Sequence, residues 1–278
     1  MTGTGTAGGA GTIVNAIATG KGAAFGLDLH VTATVDESIT WMVTSNGEEL
    51  DTPAAKLALE SARQVCVPLR KKQPHLIDIQ SDIPPERGLK SSSAVSVAVI
   101  RATLDAHGVK WPAARILKSA ARAGLRSGTS ITGAYDDAAA CLLGGAVVTD
   151  NKRFRLLQRG ELPRNVAALV NVPPVRLKTS AVRKVDFSGV RGLVKEAWEL
   201  ARAGEYDKAM ILNSAAYAAI LGHETKFTFE AIREGAWAAG LSGKGPAEIA
   251  LGPRALLERL RSTYPSSFVV SLRRGVDA

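Results

Sequence analysis

Between the alternating segment His75 to Gln80 and a run of small residues ending near His107-Gly108 lies P-P-E-R-G-L-K-S-S-S-A, Pro84 to Ala94. Leu76, Asp78 and Gln80 alternate with Ile77 and Ile79 before it, the period of a strand. A-V-S-V-A-V-I-R-A-T-L-D-A-H-G after it has the small-residue make-up and the glycine stop of a helix. A strand, a Gly/Ser loop and a helix in that order form a natural phosphate site. Glycine lets the backbone approach an anion, serines supply hydroxyl and N–H donors, and the helix directs its positive end at the charge. Taken alone, the same residues could simply cap a helix with no ligand.

The surrounding pattern places that unit in an α/β domain. Leu27 to Val35 and Ser38 to Thr44 predict strands, with an Asn46-Gly47 turn after them, and Pro53 opens a helix with apolar Leu57, Leu59, Ala62 and Val65. Helices are expected over Trp111 to Gly124 and Tyr135 to Leu143, the second stopped by Gly144-Gly145 before a strand over Ala146 to Thr149. Beyond Asn151 come strands over 154–158 and 166–172, helices over 188–203, 205–221 and 225–239, a strand over 247–252, a helix over 253–263 and a strand over 267–272. This order suggests a smaller α+β layer following the first domain, with 1–155 and 156–278 as the two units.

Charge restricts the partners only partly. The chain has 278 residues and a net charge of +9, and residues 151–200 carry eleven Lys or Arg against four Asp or Glu. A nucleotide and an acidic metabolite would suit that balance as well as a nucleic acid would. The bases are spread through strands and loops with no aromatic interleaving to stack on, so no nucleic acid is expected. Cys66 and Cys141 stand far apart with no metal-ligand spacing, which fits a reducing compartment. No apolar run approaches a membrane span and no export leader is visible, so a cytoplasmic protein off the membrane is expected.

Gly3, Gly5 and Gly8 match a dinucleotide fingerprint by spacing, but with no strand before them they read as a flexible terminus. Gly20-Lys21 and Gly243-Lys244 are each followed by Gly, so neither is a Walker A loop. Three other segments are more informative because they occur together and in order. Pro84 to Ala94 resembles the second motif of the galactokinase, homoserine kinase, mevalonate kinase and phosphomevalonate kinase (GHMP) superfamily, usually P-x-x-x-G-L-G-S-S-A. Its wording G-L-K-S-S-S-A resembles the archaeal shikimate kinases. Asn15 to Gly26, N-A-I-A-T-G-K-G-A-A-F-G, resembles the first motif of the same group, and Gly240 to Ala247, G-L-S-G-K-G-P-A, the third.

That resemblance implies a two-domain α+β fold: an α/β domain like ribosomal protein S5 domain 2, then a ferredoxin-like α+β domain. It also implies an ATP- and Mg²⁺-dependent kinase, acting on shikimate as a monomer or homodimer. Pro85, Glu86, Arg87, Gly88, Leu89, Lys90, Ser91, Ser92, Ser93 and Ala94 would surround the ATP phosphates, Ser92 offering a hydroxyl to magnesium. Asn15 and Gly243 would line the acceptor side, and Lys21 would approach the transferred phosphoryl group or lower the pKa of a nearby base.

Thr132 to Gly145, T-G-A-Y-D-D-A-A-A-C-L-L-G-G, resembles the region where mevalonate kinase carries its catalytic aspartate. Counting from the leading glycine favours Asp136 as the base, and counting back from Gly144-Gly145 favours Asp137. The glutamate that often binds magnesium in the family has no counterpart in 120–131, which leaves one of the aspartates as an alternative ligand. Leu177 to Arg183 resembles the homoserine kinase segment that grips a substrate carboxylate, implicating Thr179 and Arg183. The rival readings are a sibling kinase for homoserine or mevalonate, and a regulatory or nucleic-acid-binding relative of the fold.

Overall fold

The computed structural model of the chain describes residues 1–37, 41–50, 52–85, 87–174 and 182–276. The Gly/Thr-rich start is not a flexible terminus: Gly3–Val14 is strand β1, paired antiparallel along β2, Lys21–Asp36. Its glycines are there for contact. A side chain on Gly3 or Gly5 would run into the backbone of Ala98, Ala102 and Ala106 on helix α2, Ser91–Ala106, which lies directly on the strand. Thr4 and Thr6 point to solvent, giving the alternation of a half-buried strand.

β2 organises the first sheet. One edge carries β1, and the other is shared by β6, Ala146–Asp150, at its start and β5, Leu76–Ser81, at its end. β3, Met42–Ser45, and β4, Glu48–Glu49, extend the sheet beyond β5, and β7, Arg155–Gly160, beyond β6. Helix α1, Thr52–Leu69, packs with α2 and with α3, Ala113–Ser127, while the short α4, Tyr135–Leu143, sits on β1 and β2. Of the expected strand over 38–44, residues 42–44 are extended and 38–40 lie outside the described residues.

The second sheet is antiparallel in the order β11-β8-β10-β9, with β8 Ala167–Asn171, β9 Ala238–Leu241, β10 Glu248–Gly252 and β11 Ser267–Val270. Helices α5, Arg191–Arg202, and α6, Tyr206–Leu221, lie between it and the first sheet. Helices α7, Lys226–Arg233, and α8, Arg254–Thr263, cover its outer face. A helix expected over 225–239 stops at Arg233, because Gly235 turns the chain at positive φ and Ala238–Leu241 enters the sheet. All four residues of β9 are buried, so no polar alternation marks it as a strand.

The main apolar core runs unbroken from Ala7 of β1 through Tyr217 of α6 to Val270 of β11. The end of the chain ties the halves again. Between β5 and β6 the free edge of β2 is filled by residues 271–276: Asp28 N–H donates to Ser271, Arg273 N–H to Gly26 and Gly145 N–H to Arg273.

Candidate active site

The motif segments converge on one open cleft, lined by the phosphate loop, the first residues of α2, the 129–134 turn before α4, Asn15 to Ile17 and Gly243-Lys244. Of the loop residues, Pro85 is exposed at its start and Glu86 lies outside the described residues. Arg87 donates to the Pro173 carbonyl, anchoring the loop to the chain beyond β8. Gly88 has φ 79°, and a side chain there would collide with the carbonyl of Ser242. The third motif therefore clasps the second: Ser242 Oγ donates to the Gly88 carbonyl at 2.7 Å. Gly243 N–H donates to Thr12 Oγ1 of β1, also at 2.7 Å. Leu89 is buried beneath the loop, and its carbonyl accepts from Ala10 N–H.

Ser91, Ser92 and Ser93 form the first turn of α2 and line the cleft, so their hydroxyls and unsatisfied N–H groups face the space where an anion would sit. Ala94 closes that turn, donating its N–H to the carbonyl of Lys90. Lys90 is the N-cap, with φ 66°, and its ammonium lies 3.1 Å from Asp137 Oδ1.

Asp136 and Asp137, in the first turn of α4, face different partners. Asp137 turns to Lys90 and the phosphate loop. Asp136 turns the other way: its carboxylate lies over Gly22, where any side chain would displace it, and Asn151 Nδ2 donates to its Oδ1 at 2.7 Å. Asn151 is itself oriented by Thr149, whose hydroxyl donates to its Oδ1. Burial of Asp136 at 4 % exposure, reinforced by the nearby charge of Asp137, pushes its carboxyl up to about 7. The facing Lys90 ammonium and the Asn151 hydrogen bond oppose that rise without cancelling it.

Another wall of the cleft is formed by Asn15 to Ile17, in the loop between β1 and β2. Asn15 Oδ1 holds the Ile17 N–H, and Asn15 N–H donates to Asn213 Oδ1 of α6. Tyr217 of α6, fully buried, accepts from Ala18 N–H and donates to the Asn15 carbonyl. Sequence reasoning did not single out Asn213, Tyr217 or Asn151. They belong to no glycine motif, and their distance along the chain hides the contact.

Two expected residues stand elsewhere. Lys21 does not line the cleft: its ammonium lies 4.0 Å from the Trp198 ring centroid of α5. Neighbouring residues of a strand point to opposite faces, and Gly22 is the one under Asp136, so Lys21 is directed away from the carboxylate. Lys90 is the cation beside the acid pair instead. Arg183 donates to the carbonyls of Gly128 and Ser130, behind the 129–134 wall, and Thr179 lies outside the described residues.

Magnesium would find oxygen donors here. The Ser92 hydroxyl opens on the cleft beside the phosphate position, and no cluster of three acidic, His or Cys ligands occurs among the described residues. That donor set fits an ion carried mainly by nucleotide phosphates and water.

A cleft with the serine-lined start of a helix on one side and a buried carboxylate beside it has the parts a small-molecule phosphotransferase needs. Residues 52–145 match the family model described as the GHMP kinases N terminal domain. The chain is 38% identical to the shikimate kinase of Methanosarcina mazei over 93% of its own length and 88% of that protein's. It is 36% identical to the shikimate kinase of Pyrococcus abyssi over 98% of its own length and all of the other. Among solved structures it superposes on a homoserine kinase from Cytophaga hutchinsonii with TM-score 0.74 at 17% identity, covering 99% and 96% of the two chains. The Methanococcus jannaschii mevalonate kinase gives TM-score 0.74 at 14% identity, covering 99% and 98%, a likeness of fold. The chain belongs to the archaeal-type shikimate kinase family of the GHMP kinase superfamily. It is an ATP-dependent kinase, and no helix among the described residues is long and apolar enough to cross a membrane.

Proposed function

We propose that the protein transfers the γ-phosphoryl group of Mg-ATP to the 3-hydroxyl of shikimate, giving shikimate 3-phosphate and ADP, in the cytoplasm, on the route to chorismate and the aromatic amino acids. The observation that carries the site reading is the different facing of the two aspartates on the first turn of α4. Asp137 faces Lys90 of the phosphate loop, and Asp136 faces Gly22 at the start of β2 and Asn151.

In this reading the first turn of α2, Ser91 to Ser93, receives the β- and γ-phosphates with its N–H groups and hydroxyls. Ser92 would offer an oxygen to the metal, which would supply positive charge against the phosphates. The acceptor lies against Asn15 to Ile17 and the 129–134 wall. Arg183, whose guanidinium donates to the Gly128 and Ser130 carbonyls at the edge of that wall, is the candidate partner for its carboxylate together with Thr179. Asp136 accepts the proton of the attacking hydroxyl as the new O–P bond forms, and the bond to the β,γ-bridging oxygen breaks to release ADP. Asn151 holds the carboxylate in place.

A coupled ADP-release assay across shikimate, homoserine and mevalonate tests the acceptor, and turnover of shikimate alone is expected. Activity on homoserine only would replace the acceptor. Asp136→Asn should lower kcat by about 10²–10⁴-fold, the usual contribution of a positioned base, with the fold retained. A variant retaining near-normal kcat would remove Asp136 from that role.

A further inference from the structure

Lys90 breaks two local rules at once. It adopts φ 66° at the N-cap of α2, a left-handed conformation that favours glycine, and it brings a cation to the end of a helix that repels cations. A lysine in such a place would ordinarily turn its ammonium out to water. Instead its side chain is only 8% exposed, folded back over Gly243 and against Asp137 Oδ1 at 3.1 Å. Gly243 itself has φ 64° and carries no side chain to block that path. Local misfits that the surrounding structure holds in place concentrate where strain serves function.

The ammonium thus stands at the junction of three elements: the phosphate loop, the start of α4 and the third-motif loop. Lys90, Asp136, Asp137 and the first serines of α2 line the same cleft, so the ammonium lies beside a phosphoryl group moving from the N-terminus of α2 to an acceptor next to Asp136. We infer that Lys90 is a catalytic residue: its ammonium contacts the γ-phosphoryl group in transit and neutralises the charge that builds on its oxygens, with Asp137 holding it in position before ATP arrives. The inference rests on the kinase reading of the cleft and adds the cation on the path between donor and base. Preorganised charge aimed at the transferring group acts in the transition state more than in the ground state.

Replacing Lys90 by Gly tests this cleanly, because glycine suits the backbone angle and the fold should survive. The expected result is a kcat lower by about 100-fold, the size seen when one transition-state charge partner is lost. Tm should match or exceed the wild type, and ADP affinity should stay within about threefold, because ADP lacks the γ-phosphate. Lys90→Met, which keeps the aliphatic stem, should lose the same factor, and Lys90→Arg should recover at least about a tenth of the wild-type kcat through the retained charge. A kcat within about threefold of wild type in both the Gly and Met variants overturns the inference. So does an ADP affinity that falls in step with kcat, which would make Lys90 a ground-state phosphate anchor. The acceptor used is whichever one the wild-type enzyme turns over. A failed shikimate assay with a surviving Lys90 effect would thus fault the substrate reading, and the converse would fault only the lysine.

Discussion

Asp136 can accept a proton only when ionised, and burial makes ionisation costly. With its carboxyl raised to about 7, kcat should fall about tenfold per pH unit below that value and level off above it. The sign for stability is opposite to that of an ordinary surface carboxylate. The folded chain keeps a proton on Asp136 that the unfolded chain releases above about 4. This group therefore lowers stability as pH rises from there to about 7. Asp136→Asn should remove that slope, leaving a Tm at pH 8 no lower than wild type despite the lost activity. Differential scanning calorimetry across pH 5 to 8, paired with the rate profile, checks both halves. An unchanged slope in the variant would place the titration elsewhere.

At the level of elements, the glycine motifs were legible because three of them occur in order, and α4 has its expected bounds while α2 starts three residues earlier than expected, inside the serine run. The N-terminal strand was not. Glycine at alternate positions reads locally as flexibility, whereas here it lets the backbone of α2 rest on β1. The resemblance of Asn15 to Gly26 to a family motif implies Lys21 in the site, but side-chain alternation gives the Asp136-facing position to Gly22. Counting along the motif does not separate Asp136 from Asp137, because the partners that distinguish them, Asn151 and Lys90, lie outside it.

The Asn15–Gly20 loop was legible as a motif, but its support on α6 was not, since Asn15 and Tyr217 are 202 positions apart. That support can be tested separately. Tyr217→Phe keeps the ring against Phe187 but leaves the Ala18 N–H without its acceptor. A buried unsatisfied donor costs about 1–3 kcal/mol, so Tm should fall by several degrees. If the hydroxyl positions the acceptor wall, the KM for the acceptor should also rise by about tenfold, with the KM for ATP unchanged. Parallel changes in both constants would mean that the residue supports the fold only.

For the molecule as a whole, division near residue 155 describes the order of elements better than the order of contacts. One core joins both sheets, α6 holds a loop of the first half, and residues 271–276 complete the edge of β2. The last of these reaches the site through α4. Arg273 side-chain nitrogens donate to the carbonyls of Cys141 and Leu142 at the C-terminal end of the helix whose first turn carries both aspartates. Burial lowers the pKa of this arginine, yet it keeps its charge at neutral pH, where a cation suits a helix C-terminus. Unfolding of the intact chain should therefore be a single calorimetric transition. Ending the chain after Val270 removes four backbone hydrogen bonds and the Arg273 contacts, at about 1 kcal/mol for each neutral bond. Tm should fall by about 10 °C, with kcat reduced even well below the new transition, because α4 loses its support at the end opposite the aspartates. A truncated chain with normal kcat and Tm would show that the tail only covers an edge. Two separate transitions in the intact protein would restore the two halves as independent folding units.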